Sequence, residues 1–291
     1  MELKVYEGIH PNPIAQKDFD NLIGIDDKKE ELLNTLRLLL NVQEIDKWHK
    51  THHESKLKFV DKISTGLPMI ILSGDVGCGK TALANSVATP LAKVLDRRIT
   101  CFETPSNIRG AGRVGEISNR ITETFDHVKG KLGKNDVGIL VIDEADDLAT
   151  SRDQNQAHHE DRAGLNVLIK QIDMLSRDNC QLVVILITNR LKVLDPAVIR
   201  RAARVIQFKR PNGKALREVF DFLFEGIDLK EGEMRQLIET ASAKDRPYSF
   251  SDLIQKAGKQ AVFTAVRTNQ PFSISIYQEV LMSTEPSPVM D

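Results

Sequence analysis

Apolar positions along the chain follow two rhythms. From Met69 to Leu72, from Gly138 to Ile142 and from Leu182 to Ile187 they run almost without a break. Runs this short, each closed by polar residues or glycine, predict strands buried on both faces, as in a parallel sheet covered by helices. Around them, apolar residues recur three or four positions apart. This holds for "DDKKEELLNTLRLLLN" at 26–41, for "KTALANSVATPLAKVL" after Gly79, and for stretches near 115–130 and 160–177. Such spacing predicts helices with one apolar face, and the acidic start of the first suits a helix N-terminus. Strands alternating with helices predict an α/β fold.

Beyond Pro211 the strand pattern stops. "GKALREVFDFLFEG", "KEGEMRQLIETASA" and "SFSDLIQKAGKQAVFTAVRT" all carry helical periodicity. The expected organisation is an N-terminal arm (1–20), a large α/β domain (21–210), a small all-helical domain (211–283) and a tail (284–291) expected to fray. Residues 49–66, polar and containing "HKTHHESK", predict a surface connection.

A chain of 291 residues can bury a substantial core, and its 41% hydrophobic and 28% charged content is ordinary for a globular protein. The net charge of −1 gives no global attraction to nucleic acid or an anionic membrane, so neither is an expected partner. Three cysteines with no C-x-x-C pair argue against a disulfide framework or zinc cluster. No apolar run approaches bilayer length, and "MELKVYEGIH" lacks the apolar core of a signal peptide. A cytoplasmic protein is expected.

Chemistry enters with "GDVGCGKT". Gly74, Gly79, Lys80 and Thr81 fit G-x-x-x-x-G-K-[ST] between a predicted strand and a predicted helix. In such a turn the backbone N–H groups of Gly74, Asp75, Val76, Gly77, Cys78, Gly79, Lys80, Thr81 and Ala82 are candidates to cradle phosphates, helped by the helix N-terminus. Lys80 can reach the outer phosphates, and Thr81 can bind Mg²⁺ through its hydroxyl. Cys78 is expected to be a small filler rather than a reactive thiol. The cofactors expected are ATP and Mg²⁺.

Three further elements follow. "ILVIDEAD" sets Asp143 and Glu144 at a strand's C-terminal end, where ligands of such sheets bind. Acidic residues there also start helices, but after a phosphate loop they predict a magnesium ligand, Asp143, and a water-polarising base, Glu144. "VVILITNR" brings Thr188 and Asn189 to another strand end, where an amide could bind the γ-phosphate or the attacking water; a turn-forming Asn is the structural alternative. "LDPAVIRRAARVIQF" clusters Arg200, Arg201 and Arg204, which could stabilise charge on the transferred phosphoryl group or simply face solvent. His52–His53 and His158–His159 lack the spacing of a metal site.

These elements, in this order, resemble the AAA+ ATPases over residues of about 19 to 268. The resemblance implies a P-loop NTPase sheet between helices, followed by a helical lid domain. It implies that Ile23, Gly24 and Ile25 of "FDNLIGIDDKKEELLNTL" lie against the adenine and that Asn189 is the sensor residue. By the same resemblance Arg200, Arg201 and Arg204 are finger candidates reaching a neighbouring subunit, which implies a homo-hexamer. The lid segment carries Ser251 where some subfamilies have an arginine, so no such role is assigned here. "DEAD" at 143–146 also invites comparison with RNA helicases, but those need a second α/β domain, and the residues after Pro211 are helical.

Ring ATPases of this kind often thread a polypeptide through a pore. The corresponding loop is "RGAGRVGEISNR", with Arg113, Val114 and Gly115 before Glu116 and no aromatic at the gripping position. A second pore-facing loop would be "SRDQNQAHHEDR". With few residues ahead of the module, no large substrate-binding domain is expected. The whole is most similar to bacterial AAA+ ATPases that remodel HORMA-domain proteins in cyclic-nucleotide anti-phage signalling (CBASS) systems. That similarity implies an ATP hydrolase that opens a HORMA protein and switches off second-messenger synthesis. The competing readings are a nucleotide-gated DNA-binding or loading ATPase, another protein-unfolding chaperone, and a nucleotide-dependent scaffold.

Overall fold

The computed structural model describes residues 5–55, 57–60, 67–105, 115–133, 136–147, 159–178 and 180–290. It divides into two compact units. The first is built from 1–19, 28–73 and 81–207; the second from 20–27, 74–80 and 208–291.

The first unit is organised on a six-stranded sheet: β1 (Tyr6–His10), β2 (Met69–Gly74), β3 (Ile99–Glu103), β4 (Val137–Ile142), β5 (Leu182–Thr188) and β6 (Arg204–Phe208). Their order across the sheet is β1-β3-β4-β5-β2-β6. β3, β4, β5 and β2 pair in parallel, with Leu140 opposite Val184 and Ile71 opposite Leu186. β4 and β5 are buried along their whole length, and β2 up to Ser73, which is why their sequences show continuous apolar runs.

The first helices are α1 (Pro13–Asp20), α2 (Asp26–Leu40), α3 (Val42–His52), α4 (Lys80–Ser86) and α5 (Ala88–Leu95). α6 (Glu116–Lys131), α7 (His159–Arg177) and α8 (Pro196–Ile199) follow. On one sheet face, Met69, Ile71, Leu140, Ile142, Val184 and Leu186 belong to one core cluster with Ile121, Phe125 and Leu168 from α6 and α7. The two-residue period of the strands meets the helical period of α6 and α7 there, and burial of apolar area holds the layers together. α8 starts at Asp195, whose carboxylate accepts from the Ala197 N–H at 2.7 Å, with Pro196 at the first helical position.

Residues 6–10, expected to belong to a polar arm, instead form an edge strand antiparallel to β3, so the sheet is mixed. His10 is the reason this segment docks. Its ring is buried and its Nδ1 lies 2.7 Å from Thr89 Oγ1, while the Asn12 N–H donates to the same hydroxyl. Burial pushes the His10 pKa down, favouring the neutral ring. Glu7 faces His127 and Lys131 of α6, which hold its carboxyl below the ordinary range. The histidines near residue 50 pack as rings: His53 lies 5.3 Å edge-on to Trp48 and stacks on His49 at 5.4 Å.

The second unit carries α9 (Gly213–Leu223), α10 (Glu231–Ser242), a π-helical stretch Asp252–Gly258 leading into α11 (Lys259–Thr268), and α12 (Ile274–Ser283). α12 had no prior expectation as a separate helix. Its N-cap is Ser273, and Tyr277 fixes it inward by donating to the Leu253 carbonyl at 3.1 Å. Phe220, Phe224 and Tyr277 form an edge-on aromatic core.

The tail expected to fray is held. The Ser287 hydroxyl and N–H donate to the two oxygens of Asp252 at 2.6 and 3.0 Å, and Lys244 pairs with Glu285. Buried polar groups of the unit find their partners in this segment, which offsets the entropy of ordering it.

Candidate functional site

Gly74 ends β2 in a left-handed conformation (φ +132°), and a Cβ there would stand 2.0 Å from the Phe208 carbonyl oxygen. Only glycine lets the chain turn at this point. Gly77 (φ +74°) is confined in the same way: a Cβ would meet Ser249 Oγ at 2.7 Å and Ser251 Cβ at 2.8 Å. The Ser251 N–H donates to the Gly77 carbonyl at 3.0 Å. The phosphate loop is therefore packed within the helical unit, against the residues that open its π-helical stretch.

Within the loop, Lys80 is buried and its Nζ donates to the carbonyls of Gly74 and Asp75, each at 2.7 Å. Val76 is exposed at the tip, while Cys78 is buried. Burial pushes the Cys78 thiol up to about 11, against the opposing pull of Lys80, so it is a packed filler at neutral pH. The segment Ile23–Ile25 lies in this unit too. Ile25 is buried, and a Cβ on Gly79 would stand 3.3 Å from its Cδ1.

In the sheet unit, Thr81 opens the chain after Lys80, and its hydroxyl donates to Asp143 Oδ2 at 2.7 Å. Both residues are partly exposed. Two hard oxygen donors this close, one of them anionic, fit a magnesium ion, whose preferred ligands are oxygens. Asp143 Oδ1 accepts from the Glu144 N–H at 2.7 Å. Glu144 itself is exposed and left-handed (φ +54°), a conformation that is strained for a residue with a long side chain. Ala145–Asp147 then turns as a short 3₁₀ helix.

Asn189 follows β5, half-buried, between two residues tied to Asp146. The Thr188 hydroxyl donates to Asp146 Oδ1 at 3.0 Å, and Arg190 donates to Oδ2. Nothing in the sequence pattern marks Asp146 as more than the last residue of "DEAD". The contact requires knowing that β4 and β5 are neighbours.

The three candidate arginines separate. Arg201 forks onto Asp173 of α7 at 2.9 and 3.1 Å, which raises its pKa. Arg204 pairs with Glu31 at 2.6 Å. Arg200 is exposed, with no ion pair among the described residues. Of the candidate pore loop, Arg113 and Val114 lie outside the described residues. Gly115 is left-handed at the start of α6, and Glu116 pairs with Arg120 at 2.8 Å. The second loop expected at 151–162 also lies outside them, apart from the first backbone turn of α7.

Residues 70–210 match the profile described as ATPase family associated with various cellular activities (AAA). The chain is 36% identical over 272 residues to CD-NTase-associated protein 6 of Escherichia coli (strain KTE188), covering 92% of this chain and 91% of that protein. A solved E. coli MS115-1 HORMA:CdnC:Trip13 complex contains a chain matched with TM-score 0.89 and 33% identity, covering 98% of this chain and 97% of that one. The structure of Rhizobiales Trip13 matches with TM-score 0.76 and 28% identity, covering 99% of this chain and all of the other. No helix among the described residues is long and apolar enough to cross a membrane. The chain belongs to the AAA family of nucleotide-binding ATPases, in the group that includes CD-NTase-associated protein 6.

Proposed function

We propose that the chain is a ring-forming ATPase that uses ATP and Mg²⁺ to remodel a HORMA-domain protein, and so switches off second-messenger synthesis in anti-phage signalling. The observation that carries the ATPase chemistry is the 2.7 Å approach of Thr81 Oγ1 to Asp143 Oδ2, next in sequence to the phosphate-loop Lys80 and to Glu144. The relatives supply the substrate class: a chain 33% identical to this one occurs in a complex named for its HORMA and CdnC components.

In this reading the loop N–H groups and Lys80 hold the phosphates, while Thr81 and Asp143 hold the metal. Magnesium, when bound, supplies charge neutralisation at the outer phosphates. Glu144 orients and polarises the attacking water, and Asn189 reads the γ-phosphate. Ile23, Gly24 and Ile25 face the base. Arg200 from the adjoining copy stabilises charge as the phosphoryl group leaves, so the active form is an assembly of this chain, a homo-hexamer by the family resemblance. Arg113, Val114 and Gly115 belong to the loop that contacts the substrate chain.

The test uses the full chain and the HORMA protein of the E. coli MS115-1 complex carrying a fluorescent peptide. ATP should speed release of the peptide, measured by anisotropy. Glu144→Gln should bind ATP and retain the HORMA protein while losing phosphate release. Normal turnover in that variant would remove Glu144 from the mechanism. ATP-independent peptide release, or salt-sensitive DNA binding without any HORMA effect, would overturn the remodelling role.

A further inference from the structure

A carboxylate inside a phosphate loop is a physical problem. It repels the anion that the loop is built to hold. Asp75 is such a residue, the first after Gly74.

Its carboxylate is fully engaged. Oδ2 accepts from Arg210 Nε at 2.9 Å, and Oδ1 accepts from the Met290 N–H at 3.1 Å. The Arg210 side chain is only 5% exposed. Its other two nitrogens are also spent: one donates to the Pro247 carbonyl at 2.5 Å, the other to the Pro288 carbonyl at 2.7 Å. A single guanidinium thus joins the phosphate loop, the turn before the π-helical stretch and the C-terminal segment. Ser287, one residue before Pro288, is fixed in turn by Asp252. The same Asp75 contributes, through its backbone carbonyl, one of the two acceptors that hold Lys80.

We infer that Arg210, strapped by the segment Ser287–Met290, is a positioning residue of the nucleotide site. It cancels the charge of Asp75 and fixes the backbone that presents Lys80. The guanidinium does not touch the nucleotide; it sets how strongly the loop binds phosphates. Charge-assisted hydrogen bonds are the strong class, and removing one member of a buried pair leaves the other charge uncompensated. This inference rests on the nucleotide-binding reading above.

The experiment measures binding of fluorescent mant-ADP to the full chain, together with kcat and KM for ATP. Arg210→Met should raise the Kd by about tenfold or more, the scale of a lost charge-assisted pair, and raise KM while kcat stays within about twofold. Asp75→Asn, which leaves the Arg210 guanidinium buried without its anion, should raise the Kd by less than Arg210→Met does, because the repelling carboxylate is gone. Adding Asp75→Asn to Arg210→Met should recover most of the lost affinity, because the repelling charge is then gone. A purely structural arginine predicts no such recovery. Met290→Pro, which deletes one donor to Asp75, should raise the Kd several-fold, and Arg210→Lys should fall between parent and Met variant.

Unchanged affinity in Arg210→Met, or a double variant as weak as the single one, overturns the inference. Should Arg210→Met fail to fold, unchanged affinity in both Met290→Pro and Arg210→Lys overturns it instead. A parent chain that ignores mant-ADP, behaving like Lys80→Ala, would overturn the nucleotide reading itself, a distinct result.

Discussion

Arg190 donates two nitrogens, each at 3.2 Å, to one oxygen of Asp146, while Thr188 takes the other oxygen at 3.0 Å. The three residues lock the ends of β4 and β5 together, and Asn189 sits in the one position between the two donors. The Thr188 hydroxyl also accepts from the Arg190 N–H at 3.0 Å, closing the turn around it. The backbone of Asn189 is thereby fixed on both sides, which would suit the phosphate-reading role proposed for its side chain.

Asp146→Ala should therefore slow turnover at least tenfold while leaving mant-ADP affinity within about twofold, because the Asn189 turn loosens and the phosphate loop does not. Loss of a buried carboxylate with charged and neutral donors should also cost about 1–3 kcal/mol of stability in a urea titration. Parent-like turnover in a folded variant would separate Asp146 from Asn189.

Glu144 stores local strain. Its left-handed backbone should cost about 1–2 kcal/mol relative to the helical region for a residue of this type. Glu144→Asn, which tolerates that conformation, should abolish phosphate release yet raise stability by roughly 0.5–1 kcal/mol. Chemical denaturation compared with Glu144→Gln, which keeps the strain, checks this. Equal stabilities would dismiss it.

The arginines should divide by their partners. Arg200→Ala should lower turnover at least about a hundredfold with normal stability, given the scale of arginine effects supplied in trans. Arg201→Ala should instead cost stability, about 1 kcal/mol, by releasing Asp173. Mixing inactive Lys80→Ala with inactive Arg200→Ala should restore part of the activity, since some seams then carry both intact residues. Mixtures with no activity would argue against a seam.

Asp252 gives a pH signature. Burial pushes its pKa up, but Lys256, Ser287 and the Ser249 and Ser287 N–H groups together pull it well below the ordinary carboxylate range. A depressed folded-state pKa stabilises above the unfolded value, about 3.9, and that contribution disappears as pH falls toward the folded one. The stability gap between the parent and Asp252→Asn, about 2–4 kcal/mol, should be flat from pH 5 to 8 and shrink below pH 4. Thermal midpoints across that range decide it.

Much of this architecture is legible in the sequence itself. The apolar runs of β2, β4 and β5 report burial on both faces, and the glycine-lysine-threonine spacing reports the loop between β2 and α4. The remainder depends on contacts between residues far apart in sequence. β1 is too short and polar to announce a strand; it forms because His10 finds Thr89 and its backbone finds the edge of β3. Arg210 reads as one more basic residue before Pro211 until the fold brings Asp75 to it. The tail looks frayed by composition, yet Asp252 and Arg210 need its backbone and Ser287.

One consequence of β1 concerns what the protein avoids. Without it, the outermost strand would be β3, whose Ile99, Cys101 and Phe102 are buried in the folded protein and whose unpaired amides would invite another chain to add on. β1 covers that edge and tethers its own Glu7 to α6. Its five residues thus act as a selvedge, finishing the cloth of the sheet so that it does not become the template for a misassembled one.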